Sequence, residues 1–343
     1  MATKKIVTVS PYVASDNKSK TIMRDVLIAL VPASIMSIVL FGMYSLFIIL
    51  LSVASCIGAE MLYCKITKKA CSVKDLSAAV TGLILALNLP PYIAFYVPII
   101  GGFFAIMIVK MLFGGLGRNF ANPACAARVF LLISLSSAMT TYYAPVAINS
   151  FSTLFYYPTA DAVASATPLA DAVSLNQVFL GNVAGSIGET SALALLIGGA
   201  YLVARKVIDV TIPATIIGVV FAFTIALGGS FADGLYAICA GGLMLGAFFM
   251  ATDYSTSPNT RKGQMIYAFL IALVTVLVRN FGAYPEGMSL AILFANLFVP
   301  MIDKFVTPKR FGQGIDKAEI AIFAVIKVFC VAMFIVALVG VVA

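Results

Sequence analysis

The sequence predicts an all-α, polytopic membrane protein of about ten to eleven transmembrane helices, built from two inverted five-helix repeats. Three observations predict this fold: an apolar composition, a one-sided distribution of lysine and arginine among the loops, and short motifs that recur at a common offset. Of 343 residues, 62% are hydrophobic and only 10% are charged, whereas a soluble domain carries about a quarter charged residues.

The first 20 residues are polar and basic (Lys4, Lys5, Lys18, Lys20) and contain no apolar core, so no cleavable signal peptide is expected. Apolar runs long enough to cross a bilayer, or nearly so, follow at 23–43, 45–64, 76–89, 92–113, 121–139, 190–205, 208–229, 233–251, 264–283, 287–305 and 320–342. With the N-terminus placed in the cytoplasm, the cytoplasmic loops collect Lys65, Lys68, Lys69, Lys74, Lys110, Arg118, Arg205, Lys206, Arg261, Lys262, Lys304, Lys309, Arg310 and Lys317. Of the basic residues only Arg279 falls on the outer side, which instead holds Asp161, Asp171, Glu189, Asp233 and Glu286. This is the positive-inside pattern. The net charge of +8 therefore reports topology and anionic lipid headgroups, not nucleic acid.

Arg118-Asn119-Phe120 recurs as Arg279-Asn280-Phe281, at an offset of 161, and Gly82-Leu83 recurs as Gly242-Leu243, at an offset of 160. An offset of five helices inverts one half relative to the other. The chain then divides into a cytoplasmic tail (1–20), a first repeat (21–139), an outer loop (140–189), a second repeat (190–310) and one extra helix (311–343). Helix 76–89 is short and ends at Pro90-Pro91, and its counterpart 233–251 is rich in glycine and runs into Asp253. Interrupted segments at matching places in inverted halves point to a midplane site; tight packing through small residues accounts for them equally well.

The chain has no histidine, which removes the usual haem and imidazole-metal ligands. The six cysteines (Cys56, Cys64, Cys71, Cys125, Cys239, Cys330) show no CxxC spacing and read as buried small apolar residues. Among ionisable groups at membrane depth, Asp25 and Asp303 read as solvated helix ends, and Glu60 as a side chain that snorkels near Lys65. Arg128 reads as a partner for an inter-helix carboxylate or for a cofactor ring oxygen.

The long outer loop holds Asp161-Ala-Val-Ala-Ser165-Ala166-Thr167-Pro168-Leu169. A threonine hydroxyl needs external activation to react; small neighbours leave this backbone open, and Pro168 biases Thr167 away from helix. Read from the residues alone, the segment is a small-residue loop with turn chemistry. Next comes Gly185-Ser186-Ile187-Gly188-Glu189-Thr190, where Ser186 and Glu189 have capping-box spacing, so a helix is predicted to start there. Such a start would offer N–H groups to an anionic phosphate.

The Ser165-Ala166-Thr167 stretch, with Asp161 before it and Pro168 after it, resembles the covalent flavin-attachment motif of a membrane redox family. That family comprises the D subunit of the Rnf complex and the B subunit of the Na+-translocating NADH:quinone reductase. Ala164 and Ser165 stand where the family pattern has Ser or Thr and often Gly; Ala166 and Thr167 match it. The resemblance is closest to the D subunit, and the stretch from Gly185 to Gly199 also resembles that subunit. It implies FMN esterified to Thr167 by a flavin transferase acting outside the cytoplasm, and a second, non-covalent flavin (riboflavin) near the cytoplasmic side. It further implies association with the Rnf A, B, C, E and G subunits in the bacterial cell membrane. Electrons would pass between ferredoxin and NAD+, coupled to Na+ or H+ translocation. Asp161, Ser165, Ala166 and Pro168 would frame the acceptor, with Ser186, Gly188, Glu189 and Thr190 beside the phosphate and Arg128 a further candidate contact. The competing reading is an inverted-repeat solute or ion transporter or channel without redox function, since fold does not decide function.

Overall fold

The computed structural model describes residues 19–68, 72–145, 163–164, 174–189, 191–281, 287–306 and Ala324. Asp161, Ser165, Ala166, Thr167, Pro168 and Thr190, the cysteines Cys71 and Cys330, and the predicted helix 320–342 lie outside the described residues.

The fold is helical. Four helices are long and apolar enough to cross a membrane among the described residues: Ser19–Phe41, Met43–Thr67, one beginning at Arg261, and Met288–Phe305. Shorter apolar helices span Ser77–Leu87, Tyr96–Met111, Pro123–Ser134, Ala192–Ala204 and Thr211–Ala226. Each helix predicted between residues 23 and 305 has a counterpart, with two broken: the predicted helix 121–139 divides at Leu135 into Pro123–Ser134 and Ser136–Met139. The predicted continuous helix 233–251 is two pieces, Phe231–Cys239 and Leu243–Met250, bent by 65° at Ala240-Gly241-Gly242. Large apolar side chains such as Ile35, Ile133 and Leu297 face outward, the surface expected of a protein whose solvent is lipid.

Local chemistry explains where the elements stop. Gly42, at φ 75°, separates the first two helices, and Lys68 closes the second in the left-handed conformation, its N–H bonded to the Cys64 carbonyl. Asn122 starts Pro123–Ser134: its Oδ1 accepts from Ala124 N at 3.0 Å and Cys125 N at 3.4 Å, and Pro123 fills the first helical position. The helix from Tyr96 loosens into a π-helical stretch over Phe104–Met111, which carries Lys110. Such turns occur often at functional sites.

Ser77–Leu87 is buried along its whole length. It fits because Gly82 lets the Met43–Thr67 backbone come close: a Cβ on Gly82 would lie 2.8 Å from Val53 Cα and 2.9 Å from the Ser52 carbonyl oxygen. Ser52 Oγ also donates to the Gly82 carbonyl at 2.7 Å. Gly242 also permits a close approach: a Cβ there would collide with the Glu189 carboxylate. The outer loop contributes one antiparallel pairing, Tyr142 with Ala164 and Tyr143 with Val163.

Candidate functional site

Arg128 is buried on the Pro123–Ser134 helix. Its Nη1 donates to Glu189 Oε1 at 2.7 Å, to Asn88 Oδ1 at 2.6 Å and to Ser289 Oγ at 3.2 Å. The four side chains come from four different elements. Asn88 follows the last residue of Ser77–Leu87, where its Nδ2 donates to the Ile84 carbonyl at 2.7 Å. Ser289 stands in the first turn of Met288–Phe305. Arginine is always charged, so burial is tolerated only with partners of this kind. Of the two sequence readings of Arg128, the inter-helix carboxylate is the one found, and that carboxylate is Glu189.

The segment around Glu189 departs from expectation. No capping box forms at Ser186 and Glu189. Ile187 N–H donates to the Leu89 carbonyl at 2.9 Å and Gly188 N–H to the Leu87 carbonyl at 2.7 Å. These amides satisfy carbonyls at the end of Ser77–Leu87, which Pro90 and Pro91 prevent from continuing. The next helix starts later, at Ala192, with Ser191 as its N-cap accepting from Ala194 N at 3.3 Å. Ser186, Gly188 and Glu189 therefore do not form a free helix N-terminus for a phosphate: the Gly188 amide is spent within the protein and Glu189 is ion-paired. Ser186 Oγ and Glu189 Oε2 are buried without a partner among the described residues.

A second arginine approaches the same region. Arg279 donates from Nη1 to the Ala237 carbonyl at 2.7 Å and from Nη2 to the Ala240 carbonyl at 3.0 Å. It thereby satisfies carbonyls at the end of the broken helix Phe231–Cys239. Arg118, which opens the other Arg-Asn-Phe tripeptide, is exposed.

Two further ion pairs correct the sequence reading. Glu60 does not snorkel toward Lys65; it is fully buried and bonded to Lys110 Nζ at 3.1 Å. Lys110 is not a loop residue either: it is buried within the π-helical stretch and also donates to Ser77 Oγ at 2.7 Å. Ser72 donates to the other Glu60 oxygen. Asp25 is buried rather than solvated, and pairs with Arg205 at 3.2 Å. Asp303 binds the Asn259 backbone N at 3.1 Å and side-chain Nδ2 at 2.9 Å. Cys56, Cys64 and Cys125 are buried free thiols, as expected.

A cavity opens beside Lys110. Its lining includes Lys110, Thr81, Ile84, Asn122, Phe249 and Asp253. Of the lining residues, Asn122 donates from Nδ2 to the Met250 carbonyl at 3.0 Å, and Asn88 Nδ2 approaches Met250 Sδ at 3.6 Å. The ends of the two interrupted half-helices, Ser77–Leu87 and Leu243–Met250, thus meet.

Sequence reasoning missed Asn88, Ser289 and Lys110. Ser289 carried a usable signal, because it lies 161 positions after Arg128, the offset of the repeated tripeptide. Lys110 carried a weaker one, as a lysine flanked by apolar residues on both sides.

Residues 6–312 match the model of the NQR2, RnfD, RnfE family. The chain belongs to that family. Similar members include the D subunit of the Na(+)-translocating ferredoxin:NAD(+) oxidoreductase complex of Acetobacterium woodii. It is 41% identical over 323 residues, covering 91% of this chain and 97% of that one. The D subunit of the proton-translocating complex of Clostridium ljungdahlii is 39% identical over 326 residues, 89% of this chain and 96% of that one. The D subunit of an ion-translocating oxidoreductase complex from Escherichia coli O7:K1 is 34% identical over 343 residues, 89% and 97% of the two chains. The family model runs from residue 6 to residue 312, across nearly all of the described helices.

Proposed function

We propose that this chain is the membrane subunit of an ion-translocating ferredoxin:NAD+ oxidoreductase complex, carrying FMN on Thr167 and relaying electrons in a process coupled to Na+ or H+ translocation. The observation that carries this reading is the coincidence of near full-length similarity to the D subunits of such complexes with an intact Ala166-Thr167-Pro168 in the outer loop. A transporter has no need of that motif. The other Rnf subunits are its partners, a flavin transferase matures it, and lipid surrounds it.

The same reading places ten to eleven spans in the bacterial cell membrane as two inverted repeats, with the N-terminus in the cytoplasm and the flavin loop outside. One contact supports the repeat. Arg128 meets Ser289 at a sequence separation of 161, the offset of the repeated tripeptide. Equivalent residues touch only where they lie near a local two-fold axis.

Bound flavin supplies the redox chemistry, and the protein supplies position and electrostatics. The cavity beside Lys110 sets a few polar groups among apolar walls, and a second, non-covalent flavin bound there would be held by Lys110, Asn122 and Asp253.

The test is a denaturing gel of membranes in which this chain is co-expressed with its flavin transferase. Flavin fluorescence is expected at this subunit's mass in the wild type and is expected to vanish in Thr167→Val. A wild type without fluorescence overturns the reading.

A further inference from the structure

We propose that Tyr254 is the latch of the cavity beside Lys110, and that a water-soluble ligand enters that cavity from the cytoplasmic side, through a second pocket that Tyr254 closes off. The inference rests on the orientation given above and not on what the cavity holds.

The second pocket lies against the first. Val207, Ile208, Thr252 and Tyr254 line both, so these four residues form the wall between them. Among the described residues that line the cavity, only Leu116 and Tyr254 are exposed, at 37% and 57%. The cavity therefore reaches the surface at these two, and Tyr254 is the one that also borders the second pocket. That pocket is lined by the exposed charges of Lys206 and Asp209 and by Ser257 and Gln264. Such a lining suits water and a polar solute rather than a lipid-borne molecule. The positive-inside count puts Lys206 on the cytoplasmic side.

Among the described residues, one side-chain hydrogen bond ties the two sides of this wall together: Tyr254 Oη donates to the Val207 carbonyl. The two residues sit in different connections. Val207 follows the end of Ala192–Ala204 and is buried, with its N–H bonded to the Leu202 carbonyl at 2.9 Å. Tyr254 stands in the turn after the half-helix that ends at Met250. The base of that turn is fixed, because Asp253 accepts from Ser255 Oγ at 3.0 Å and from Thr256 Oγ1 at 3.4 Å, and Thr256 is buried. Both anchors thus hold still while the tyrosine ring, more than half exposed, swings by side-chain rotation alone. Exposed side chains change rotamer in nanoseconds or less. The loss of one such bond is small on the scale of folding, so the latch opens without disturbing a helix.

The experiment uses the whole complex in membrane vesicles. Thr81, buried in the cavity lining, is replaced by cysteine, and Leu116→Cys on the exposed rim serves as the reference. A charged, membrane-impermeant methanethiosulfonate is added, and the rate of modification at each engineered position is read by peptide mass. With the cytoplasmic face outward, Thr81→Cys is expected to react slowly. Adding Tyr254→Phe is expected to speed it about five-fold, the factor that one net hydrogen bond of ~1 kcal/mol supplies. Tyr254→Ala, which removes the ring as well, should speed it at least ten-fold. Leu116→Cys is expected to react at one rate in all three backgrounds. The inference is overturned if Thr81→Cys reacts at the same rate in all three, or reacts only when the outer face is presented. A parallel rise at Leu116→Cys would also overturn it, because the wall would then have loosened as a whole. Riboflavin added to the Tyr254→Phe vesicles tests the occupant separately: failure to slow modification of Thr81→Cys would overturn the second flavin and leave the latch standing.

Discussion

Arg128 and Ser289 lie 161 positions apart in the chain and 3.2 Å apart in space. The separation is that of the repeated Arg-Asn-Phe tripeptide. A guanidinium donor on Pro123–Ser134 and a hydroxyl acceptor on Met288–Phe305 therefore meet at the same sequence spacing as that tripeptide.

The Arg128–Glu189 pair predicts a characteristic mutational pattern. Removing one partner strands a buried charge, so Arg128→Ala and Glu189→Ala should each destabilise the protein by roughly 3–5 kcal/mol. A double replacement by leucines should cost clearly less than the sum of the two. Thermal unfolding of the purified complex, followed by intrinsic tyrosine fluorescence, checks this; additive losses would show that the two groups act independently.

Lys110 and Glu60 should behave differently from each other, because only Lys110 lines the cavity. Lys110→Met is expected to lower acid-extractable, non-covalent flavin while leaving in-gel fluorescence at Thr167 unchanged. Glu60→Gln keeps the hydrogen bonds with Lys110 and Ser72 in reach and should retain more of that flavin. Chromatography of the flavin released by acid provides the measurement.

Gly82→Ala and Gly242→Ala test the two close approaches. Each methyl group meets an atom with little freedom to yield: Val53 backbone in the first half, the ion-paired Glu189 in the second. Overpacking of this kind typically costs about 1–3 kcal/mol. Both should lower the midpoint of thermal unfolding, whereas alanine at Gly218, where a Cβ meets nothing within 4 Å, should not.

Asn122→Ala removes a helix cap, worth about 1 kcal/mol, and also strips the Met250 carbonyl of its partner. The loss should therefore exceed that of Asn122→Ser, which keeps a capping oxygen. Parallel thermal melts of the two variants decide it.

Most of the helices were legible in the sequence because a membrane chain must satisfy its backbone within each segment. Apolar runs therefore mark the elements directly. The break at Ala240–Gly242 was signalled by its glycines but not its angle. The buried charges were misread for a physical reason: Lys110 was assigned by its nearness to the end of an apolar run, whereas its position is set by Glu60, 50 residues earlier. Ser186 and Glu189 had the spacing of a cap, yet spacing does not record that Leu87 and Leu89 needed their neighbours' amides. Arg128 was recognised as a buried charge, and Glu189 as its partner emerges only from tertiary contact. The Thr167 assignment came from motif resemblance and not from geometry, which is why its test is chemical.

Asn122 spends both ends of one amide: the oxygen begins its own helix, and the nitrogen grips Met250 at the end of a half-helix in the other half. One side chain therefore serves the start of its own helix and the packing of a distant one, so replacing it disturbs both a local fold and a long-range contact.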